Sequence, residues 1–486
     1  MTHNILFVIH SVDFVDNFGI TYLSAVAKQN GWNTHLTVFS PRAIDRVMAD
    51  VRPELVCYSA MSSDADIYLR INRLIKAKHN VVAIMGGPHA TFFPEVVEDE
   101  HLDFICRGEG EPAFAEFLRT FKEGGNCHAI ANFCSKTQKN DIRPLVENLD
   151  SLPMPDRDIV FRATELGASP IKTFMTSRGC PYACSYCHNA AFQELYKRKG
   201  KVYRTHSPRR IVEEINVVRS RYPLKFIKFE DDMFAASLPW LEEFSRTYRQ
   251  EIGIPFNCLQ RMEYVTEERV RLIKAAGGVS ISVSIESANK RIREEILNRG
   301  MKLNNVEIRD RIRLIKRAGL NVFTSMILGV PTSTLEDEYE ALRLNIDSGA
   351  DFASPNILTP FPRTPIWRYC KEHNLLEEGG EEQIKSNQAR SVLTCFTEKE
   401  KDIQWNLSLF FPAIVKFPLL RRLLLRIARK SKPRNVCSSF FILCKCYLFS
   451  KYIFPFRGSW LTKVNFLKKA LRLEGKRILG IPDDVG

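Results

Sequence analysis

The sequence predicts an α/β protein built from two parallel sheets in series, followed by a mainly helical, basic C-terminal segment. Short apolar runs alternate with amphipathic stretches over residues 4–122, and the alternation returns six times between about 170 and 375. Such alternation is typical of βαβ units and parallel sheets. We expect domains at 1–135 and 169–375, a turn-rich linker at 136–168 and the basic segment at 376–486.

The first domain is expected to be a doubly wound, flavodoxin-like sheet of five strands. Its apolar runs have the length and composition of buried strands, and the stretches between them have helical periodicity. The expected strands are Ile5–Ile9, His35–Phe39, Leu55–Ser59, Val81–Met85 and Phe104–Cys106, and the helices between them include Ile20–Gln29 and Ile67–Ala77.

The second domain is expected to be an open (β/α)6 barrel, because a complete eight-fold barrel usually needs about 250 residues. The expected strands are Lys172–Met175, Phe226–Phe229, Pro255–Leu259, Ser280–Ile285, Val322–Leu328 and Phe352–Leu358. The expected helices are Arg210–Arg219, Leu238–Gln250, Glu267–Ala276, Val306–Ala318 and Leu335–Ser348. In barrels of this type the chemistry lies at the carboxyl ends of the strands.

Composition and charge exclude several classes of protein. With 45% hydrophobic and 26% charged residues, the chain is an ordinary globular protein and not a disordered or fibrous one. Its apolar runs are shorter than a membrane-spanning helix, and Ile5–Ile9 is too short for a signal peptide, so a cytosolic protein is expected. The 13 cysteines then indicate reduced thiols or metal ligands.

The net charge of +14 comes from one segment. Residues 412–478 contain 17 Lys and Arg against a single acid, Glu474, whereas the rest of the chain is nearly neutral. An amphipathic basic helix over 410–428 would lie on an anionic membrane, with the aromatic residues of 440–456 adding depth. The alternatives are a helical subdomain that packs on the barrel with a solvated basic face, and nucleic-acid binding, which we disfavour because no recognised module accompanies the charge.

Cys180, Cys184 and Cys187 form a C-x3-C-x2-C motif directly after the first strand of the second domain. Three thiolates can hold a [4Fe–4S] cluster and leave one iron open to a further ligand. A zinc site is the alternative, although it needs a fourth ligand and the adjacent His188 is badly placed to provide one. Unrelated core cysteines are a further alternative.

This motif, with an aromatic residue before its last cysteine and a partial barrel behind it, resembles the radical S-adenosylmethionine (SAM) superfamily. The resemblance implies a [4Fe–4S] cluster on Cys180, Cys184 and Cys187, whose open iron binds SAM and whose electron cleaves it to a 5′-deoxyadenosyl radical. It also implies that Tyr186 lies against the adenine.

Residues at the later strand ends agree with the resemblance. It implies Asp231 or Asp232 at the SAM amine, Arg261 near the carboxylate and Glu286 at the ribose, with the segment at Gly329 against the adenine. An acidic pair at a helix N-terminus and a solvated strand-end acid are the alternatives for the aspartates and Glu286. Arg363 departs from the family, because it replaces the usual glycine of a PFPGTP element.

The first domain resembles the cobalamin-binding domain of cobalamin-dependent radical SAM enzymes. The similar segments are 17–32, 58–63, 86–91 and 107–111. The implied cobalamin-binding residues are Ser59, Ser62, Gly86, Gly87, His89 and Thr91. The Asp-x-His-x-x-Gly loop whose histidine ligates cobalt in some cobalamin proteins has no counterpart after the first strand, so no histidine of that motif is expected at the metal. A domain that has lost its ligand is the alternative.

These resemblances imply methylation of an unactivated carbon, with SAM as the source of the radical and cobalamin as the methyl carrier. The expected partners are a small-molecule substrate of the lipid or isoprenoid class, an external electron donor and the inner face of a membrane, contacted through 412–478. Radical cyclisation, ring rearrangement or oxidation would use the same motifs. A membrane-associated iron–sulfur binding protein and a nucleic-acid-modifying enzyme are the remaining alternatives.

Overall fold

The computed structural model describes residues 3–12, 15–379, 390–430 and 435–455. Two six-stranded sheets follow each other along the chain, and helices cover both. A helical subdomain packs on the second sheet. The predicted α/β class, with a flavodoxin-like domain, a half-barrel and a helical end, is confirmed.

The first sheet has the strand order β2-β1-β3-β4-β5-β6. Its first five strands are parallel, and β6 is an antiparallel edge strand that pairs with β5. A strand as short as β6 has no periodic signal, so the sequence did not predict it. The strands are β1 (His3–Ile9), β2 (Trp32–Val38), β3 (Leu55–Ser59), β4 (Val82–Gly86), β5 (Phe104–Cys106) and β6 (Phe133–Cys134). The helices are α1 (Phe18–Gln29), α2 (Ile44–Val51), α3 (Ala65–Lys76), α4 (Gly87–Phe92) and α5 (Glu111–Lys122).

The linker is a packed segment, because its helix α6 (Asp158–Ala163) buries Ile159, Val160 and Phe161. The preceding Arg157 joins the two domains. Its guanidinium donates to Asp16 Oδ2 at 2.7 Å and to the backbone oxygen of Thr173, with both charged side chains buried.

The second sheet is the predicted half-barrel, with six parallel strands in the order β7-β10-β11-β12-β13-β14. Its strands are β7 (Ile171–Phe174), β10 (Phe226–Phe229), β11 (Phe256–Arg261), β12 (Gly278–Glu286), β13 (Asn321–Leu328) and β14 (Phe352–Ile357). A small hairpin, β8 (Ser177–Arg178) and β9 (Arg204–Thr205), follows β7 and flanks helix α7 (His188–Leu195).

Five helices alternate with these strands, and a short one follows the last. They are α8 (Pro208–Arg221), α9 (Leu238–Glu251), α10 (Glu267–Ala276), α11 (Asn305–Arg317), α12 (Leu335–Ser348) and α13 (Pro365–Glu372). A Ser, Thr or Asn side chain accepts a backbone N–H at the start of each one. These caps explain why α8 to α12 begin within a few residues of their predicted positions, whereas α13 was not predicted.

The C-terminal subdomain contains α14 (Glu398–Lys416), α15 (Pro418–Lys430), α16 (Asn435–Leu448) and a π-helical turn at Phe449–Ile453. The single helix predicted over 410–428 is wrong: the chain breaks at Phe417, because the residue before a proline disfavours helical geometry. None of the described helices is both long and apolar enough to cross a membrane.

The predicted membrane role of the aromatic residues is also wrong for those that face the barrel. The ring of Phe449 packs on Phe323 and Phe352, and that of Phe454 packs on Phe226. Asn321, at the start of β13, donates to the backbone oxygen of Tyr452 at 2.8 Å. This part of the subdomain therefore covers the amino ends of the barrel strands, opposite the edge described next. Cys437, Cys444 and Cys446 are buried within it.

Candidate active site

The cysteine motif lies on the loop between β8 and α7, within the long connection that joins β8 to β9. The loop begins at Gly179, whose φ of +75° and close approach to the backbone oxygen of Val202, 2.4 Å from an ideal Cβ, exclude a side chain. Cys187 caps α7 and accepts the backbone N–H of Asn189 at 3.4 Å. Cys184 is buried, Cys180 and Cys187 are half-buried, and all three are free thiols.

The three thiols suit a cluster. Burial raises the pKa of Cys180, and raises that of Cys187 to about 11, so both thiols are protonated at neutral pH until a metal displaces the proton. Within the described ranges, no group of three or more His, Cys, Asp or Glu is placed to hold one metal ion. A [4Fe–4S] cluster offers each thiolate a different iron, so its ligands need not converge on one point.

The two aspartates at the end of β10 have different environments. Asp231 is buried, and its Oδ1 accepts the backbone N–H and the hydroxyl of Thr176, both at 2.8 Å, so it supports the loop after β7. Asp232 is exposed and lies close enough to Cys180 and Cys187 for its charge to raise the pKa of each thiol, in addition to the larger effect of burial. Of the pair, Asp232 is the carboxylate that a ligand of the cluster can reach.

Tyr186 and Glu286 lie together, as their predicted roles require. The Tyr186 hydroxyl donates to Glu286 Oε1 at 2.7 Å. Glu286 has a φ of +68°, and the pairing of β12 with β13 shifts register between Ser284 and Glu286. A bulge at a strand end redirects a side chain, and a strained backbone of this kind is concentrated at functional sites.

Arg261 is at this edge as predicted, and it has a partner that the sequence analysis missed. The Nη1 atoms of Arg261 and Arg299 lie 3.9 and 3.7 Å from the Sγ of Cys184. Arg299 follows an irregular segment after β12 and is 115 positions from Cys184. No spacing signal in the sequence could have connected the two residues.

The cobalamin-binding residues predicted for the first domain surround the carboxyl ends of β3 and β4. Gly87 has a φ of +91°, and an ideal Cβ there would be 2.8 Å from the backbone oxygen of Ala60. Only glycine therefore keeps these two loops in contact, with Ser59 and Gly86 beside them. His89 Nδ1 lies 3.3 Å from Ser62 Oγ, at the rim of the same edge. Backbone this close and open can approach a flat macrocycle.

Thr91, one of the predicted cobalamin-binding residues, bonds the backbone of two neighbouring loops. Its hydroxyl donates to the backbone oxygen of Gly87 and accepts the N–H of Gly108, both at 2.9 Å, and the side chain is buried. It thus ties the β4 loop to the β5 loop.

Residues 107–111, a segment that resembles the cobalamin-binding domain, contact the second domain through their carboxylates. Both oxygens of Glu109 accept from Arg204, at 2.7 and 2.8 Å, and Glu111 accepts from Arg178 at 2.6 Å. Both arginines belong to the β8–β9 hairpin that flanks the cysteine loop, so this contact fixes the cluster loop against the first domain.

The two predicted cofactor edges meet. The ring of Phe92, at the end of α4, lies 5.6 Å from that of His188, which follows Cys187, and His188 lies 5.7 Å from Phe361. Arg363, with a φ of +72°, occupies the conformation expected of the glycine that it replaces and pairs with Glu95 of the first domain at 3.0 Å. The carboxyl edges of both sheets therefore adjoin at these residues.

Comparisons with known proteins agree with this architecture. The family models of the B12 binding domain and of the radical SAM superfamily match residues 6–118 and 174–344. An uncharacterised methyltransferase of Pyrococcus horikoshii is 30% identical over 376 residues, which cover 74% of this chain and 79% of that protein. The structure of TsrM, a radical SAM methyltransferase from Kitasatospora setae with cobalamin and a [4Fe–4S] cluster bound, has the same fold, with a TM-score of 0.67 at 14% identity over 98% of this chain and 100% of TsrM.

Two further relatives have named activities. An anaerobic magnesium-protoporphyrin IX monomethyl ester cyclase of Cereibacter sphaeroides is 23% identical over 73% of this chain and 60% of the cyclase. Hopanoid C-3 methylase of Methylococcus capsulatus is 25% identical over 65% of this chain and 60% of the methylase.

A B12-binding sheet followed by a half-barrel with three cysteines on its first loop defines an enzyme that combines two cofactors. This chain belongs to the radical SAM superfamily, in the group that carries a B12-binding domain. Its cofactors are a [4Fe–4S] cluster, SAM and cobalamin. Its reaction class is radical C-methylation.

Proposed function

We propose that this enzyme methylates an unactivated carbon of an apolar small molecule of the lipid or isoprenoid class. The observation that carries the proposal is the contact of Phe92 with His188, which places the cobalamin edge beside the cysteine loop. When bound, the cluster and SAM supply the radical that removes hydrogen from carbon, and cobalamin supplies the methyl group. A substrate between the two sheet edges is then within reach of both the SAM-derived radical and the cobalamin.

The chain itself has the task of binding and orientation. Cys180, Cys184 and Cys187 hold the cluster, and Asp232 binds the SAM amine from the open side of the site. Tyr186 and Glu286, already joined by a hydrogen bond, hold the adenine and the ribose. The Gly86–Gly87 loop receives the corrin, with Ser59, Ser62 and His89 at its rim. Asp231 and Thr91 act as supports, since their polar atoms already bond the backbone of neighbouring loops.

Two considerations support an apolar substrate. The space between the edges is bordered by the rings of Phe92 and Phe361. The named relatives act on a hopanoid and on a porphyrin ester, which are large and largely apolar molecules.

A membrane contact through α15 is part of the proposal. The outer face of this helix exposes 98% of Leu419 and 56% of Leu423, and Arg422 and Arg426 are exposed on the same turns. The opposite face buries Leu424 and Ala428 against the subdomain. Leucines next to arginines on one exposed face are typical of helices that lie on anionic lipid. We propose that this face holds the enzyme on the inner face of the membrane where such substrates reside.

The reaction is tested on the full chain, purified without oxygen and loaded with iron, sulfide and hydroxocobalamin. With SAM and a strong one-electron reductant in place of the external donor, we expect both 5′-deoxyadenosine and S-adenosylhomocysteine. Cys184→Ala should abolish 5′-deoxyadenosine, whereas Cys395→Ala, which alters an exposed cysteine outside the motif, should not. 5′-Deoxyadenosine without S-adenosylhomocysteine, in the presence of a hopanoid or isoprenoid extract, would instead favour the cyclisation that one relative's name describes.

The membrane contact has a separate test. We expect the full chain to float with vesicles that contain phosphatidylglycerol and to bind pure phosphatidylcholine more weakly. The pair Leu419→Ser and Leu423→Ser should weaken binding at least tenfold, since each buried leucine contributes about 1.5–3 kcal/mol. The matched pair Leu74→Ser and Val306→Ser alters residues that are 46% and 53% exposed elsewhere and should have no effect. If the two double variants bind the vesicles equally well, the proposed membrane contact is wrong.

A further inference from the structure

Two buried arginines converge on the sulfur of one cysteine of the motif. Cys184 is 5% exposed, and the guanidinium groups of Arg261 and Arg299, 2% and 7% exposed, are the charged groups that reach its Sγ. A guanidinium group is not an iron ligand, so the position of both arginines beside the thiol requires another explanation.

The protein holds both guanidinium groups in place. Arg261 stacks on the ring of Tyr182 at 3.4 Å and donates to the backbone oxygen of Arg299 and to Glu263, both at 2.6 Å. Arg299 donates to the backbone oxygen of Ser284 at 3.2 Å. The Nε of each arginine is buried and has no hydrogen-bond partner among the described residues. A buried N–H without an acceptor destabilises the fold, so a bound group that accepts this hydrogen bond would be stabilising.

Nearby carboxylates compensate the positive charges of the two arginines to different degrees. Arg261 has Glu263 as a direct ion-pair partner, whereas Arg299 has no carboxylate within ion-pair distance among the described residues. The carboxylate of Glu286 is linked to Arg299 only through the Tyr186 hydroxyl, which lies 3.5 Å from Arg299 Nη1, so less of the positive charge of Arg299 is compensated. Charges interact strongly where water is excluded, and nearby charge and hydrogen bonds to the sulfurs set the potential of an iron–sulfur cluster.

We propose that Arg299, assisted by Arg261, raises the reduction potential of the [4Fe–4S] cluster by holding positive charge against the Cys184 thiolate. A cluster on three thiolates gains one more negative charge when it accepts an electron. A fixed positive charge stabilises the reduced form more than the oxidised form, so electron transfer from the external donor becomes easier. The inference rests on the proposed cluster ligands, which iron analysis of Cys184→Ala tests separately.

The test is the midpoint potential of the cluster in the reconstituted full chain without SAM, measured by a redox titration followed by electron paramagnetic resonance. Arg299→Gln keeps the hydrogen-bond donors and removes the charge, and we expect it to lower the equilibrium constant for reduction about tenfold, which is about 59 mV for one electron. Arg299→Lys keeps the charge and should restore most of the shift. Arg261→Gln should shift the potential in the same direction but less, because Glu263 already offsets that charge.

The matched control is Arg269→Gln. Arg269 is equally buried but donates to the backbone oxygens of Ala235 and Ala236, with no contact to the cysteines. An unchanged potential in Arg299→Gln with full iron content would overturn the proposal, as would an equal shift in Arg269→Gln. If Arg299→Gln does not hold iron, Arg261→Gln carries the test. Loss of the cluster in both variants would also overturn the proposal, because the arginines would then be structural.

Discussion

The neighbouring aspartates at the end of β10 should respond differently to the same substitution. Asp231→Ala leaves the buried N–H and hydroxyl of Thr176 without an acceptor, and each such group costs about 1–3 kcal/mol. Asp232→Ala alters an exposed side chain, so we expect its effect on stability to stay within about 0.5 kcal/mol. For SAM binding we expect the opposite, with Asp232→Ala weakening the affinity more than Asp231→Ala.

Urea unfolding and equilibrium dialysis of SAM distinguish these effects. We expect Asp232→Ala to weaken SAM binding at least tenfold, because a hydrogen bond to a charged group contributes about 1.5–3 kcal/mol. If Asp232→Ala binds SAM normally, the alternative interpretation of this residue, an acidic pair at a helix N-terminus, is favoured instead.

Glu338 should make stability depend on pH. This carboxyl is buried on α12, where its Oε1 accepts from the N–H of Gly329 and from Gln404 of α14, and burial raises its pKa to about 8. Because the pKa is higher in the folded protein than in the unfolded chain, the stabilisation is complete below about pH 4.5 and is lost as the pH rises towards 8. Glu338→Gln cannot ionise, so we expect its free energy of unfolding to exceed that of the wild type increasingly between pH 5 and 9. Parallel curves over that range would contradict the raised pKa.

At the scale of elements, the contact between the linker and the two sheets depends on buried Arg157, which pairs with Asp16 at 2.7 Å and with buried Glu214 at 3.5 Å. Arg157→Met would leave the Asp16 carboxylate buried without its partner, which typically costs 3–5 kcal/mol. The double variant Arg157→Met with Asp16→Asn should recover part of that loss, because the charge of Asp16 is removed while buried Glu214 still lacks its arginine. Urea unfolding of the three proteins measures both effects, and additive losses in the double variant would show that the pair is not coupled.

Local patterns in the sequence determined most elements, and contacts between distant residues determined the rest. The strands Leu55–Ser59 and Phe226–Phe229 were predicted to the residue, because a buried strand is an apolar run with its own signal. The break at Phe417 also had a local signal in Pro418, but the continuous basic pattern concealed it. Arg299 had none, since only the folded barrel brings it to Cys184.

The interface between the domains likewise depends on contacts between distant residues that have no local signal in the sequence. Glu109 belongs to a segment that resembles the cobalamin domain, yet its carboxylate binds Arg204, 95 residues away. A motif identifies the segment, but the partner of each side chain depends on how two independently formed sheets pack against each other. The site residues predicted by resemblance lie at the carboxyl edges of their sheets, whereas the difference between the buried Asp231 and the exposed Asp232 became visible only in the structure.

For the whole molecule, the two sheets should bind their cofactors independently. Gly87→Val would place a Cβ 2.8 Å from the backbone oxygen of Ala60 at a φ of +91°, so the loops after β3 and β4 must separate. We expect this variant to lose cobalamin while it retains iron and sulfide, because the cysteine loop is built on the other sheet. Conversely, replacing Cys180, Cys184 and Cys187 with alanine should remove the iron and leave cobalamin bound.

Absorption spectra for cobalamin and chemical analysis of iron measure both occupancies in one preparation. The matched control is Gly124→Ala, which also has a positive φ in the first domain but meets no atom within 4 Å. It shares the backbone strain of Gly87→Val without the collision, so it should keep both cofactors. Loss of iron in Gly87→Val would mean that the contact between Phe92 and His188 transmits the disturbance to the cluster loop, and the two sheets would then form one cooperative site.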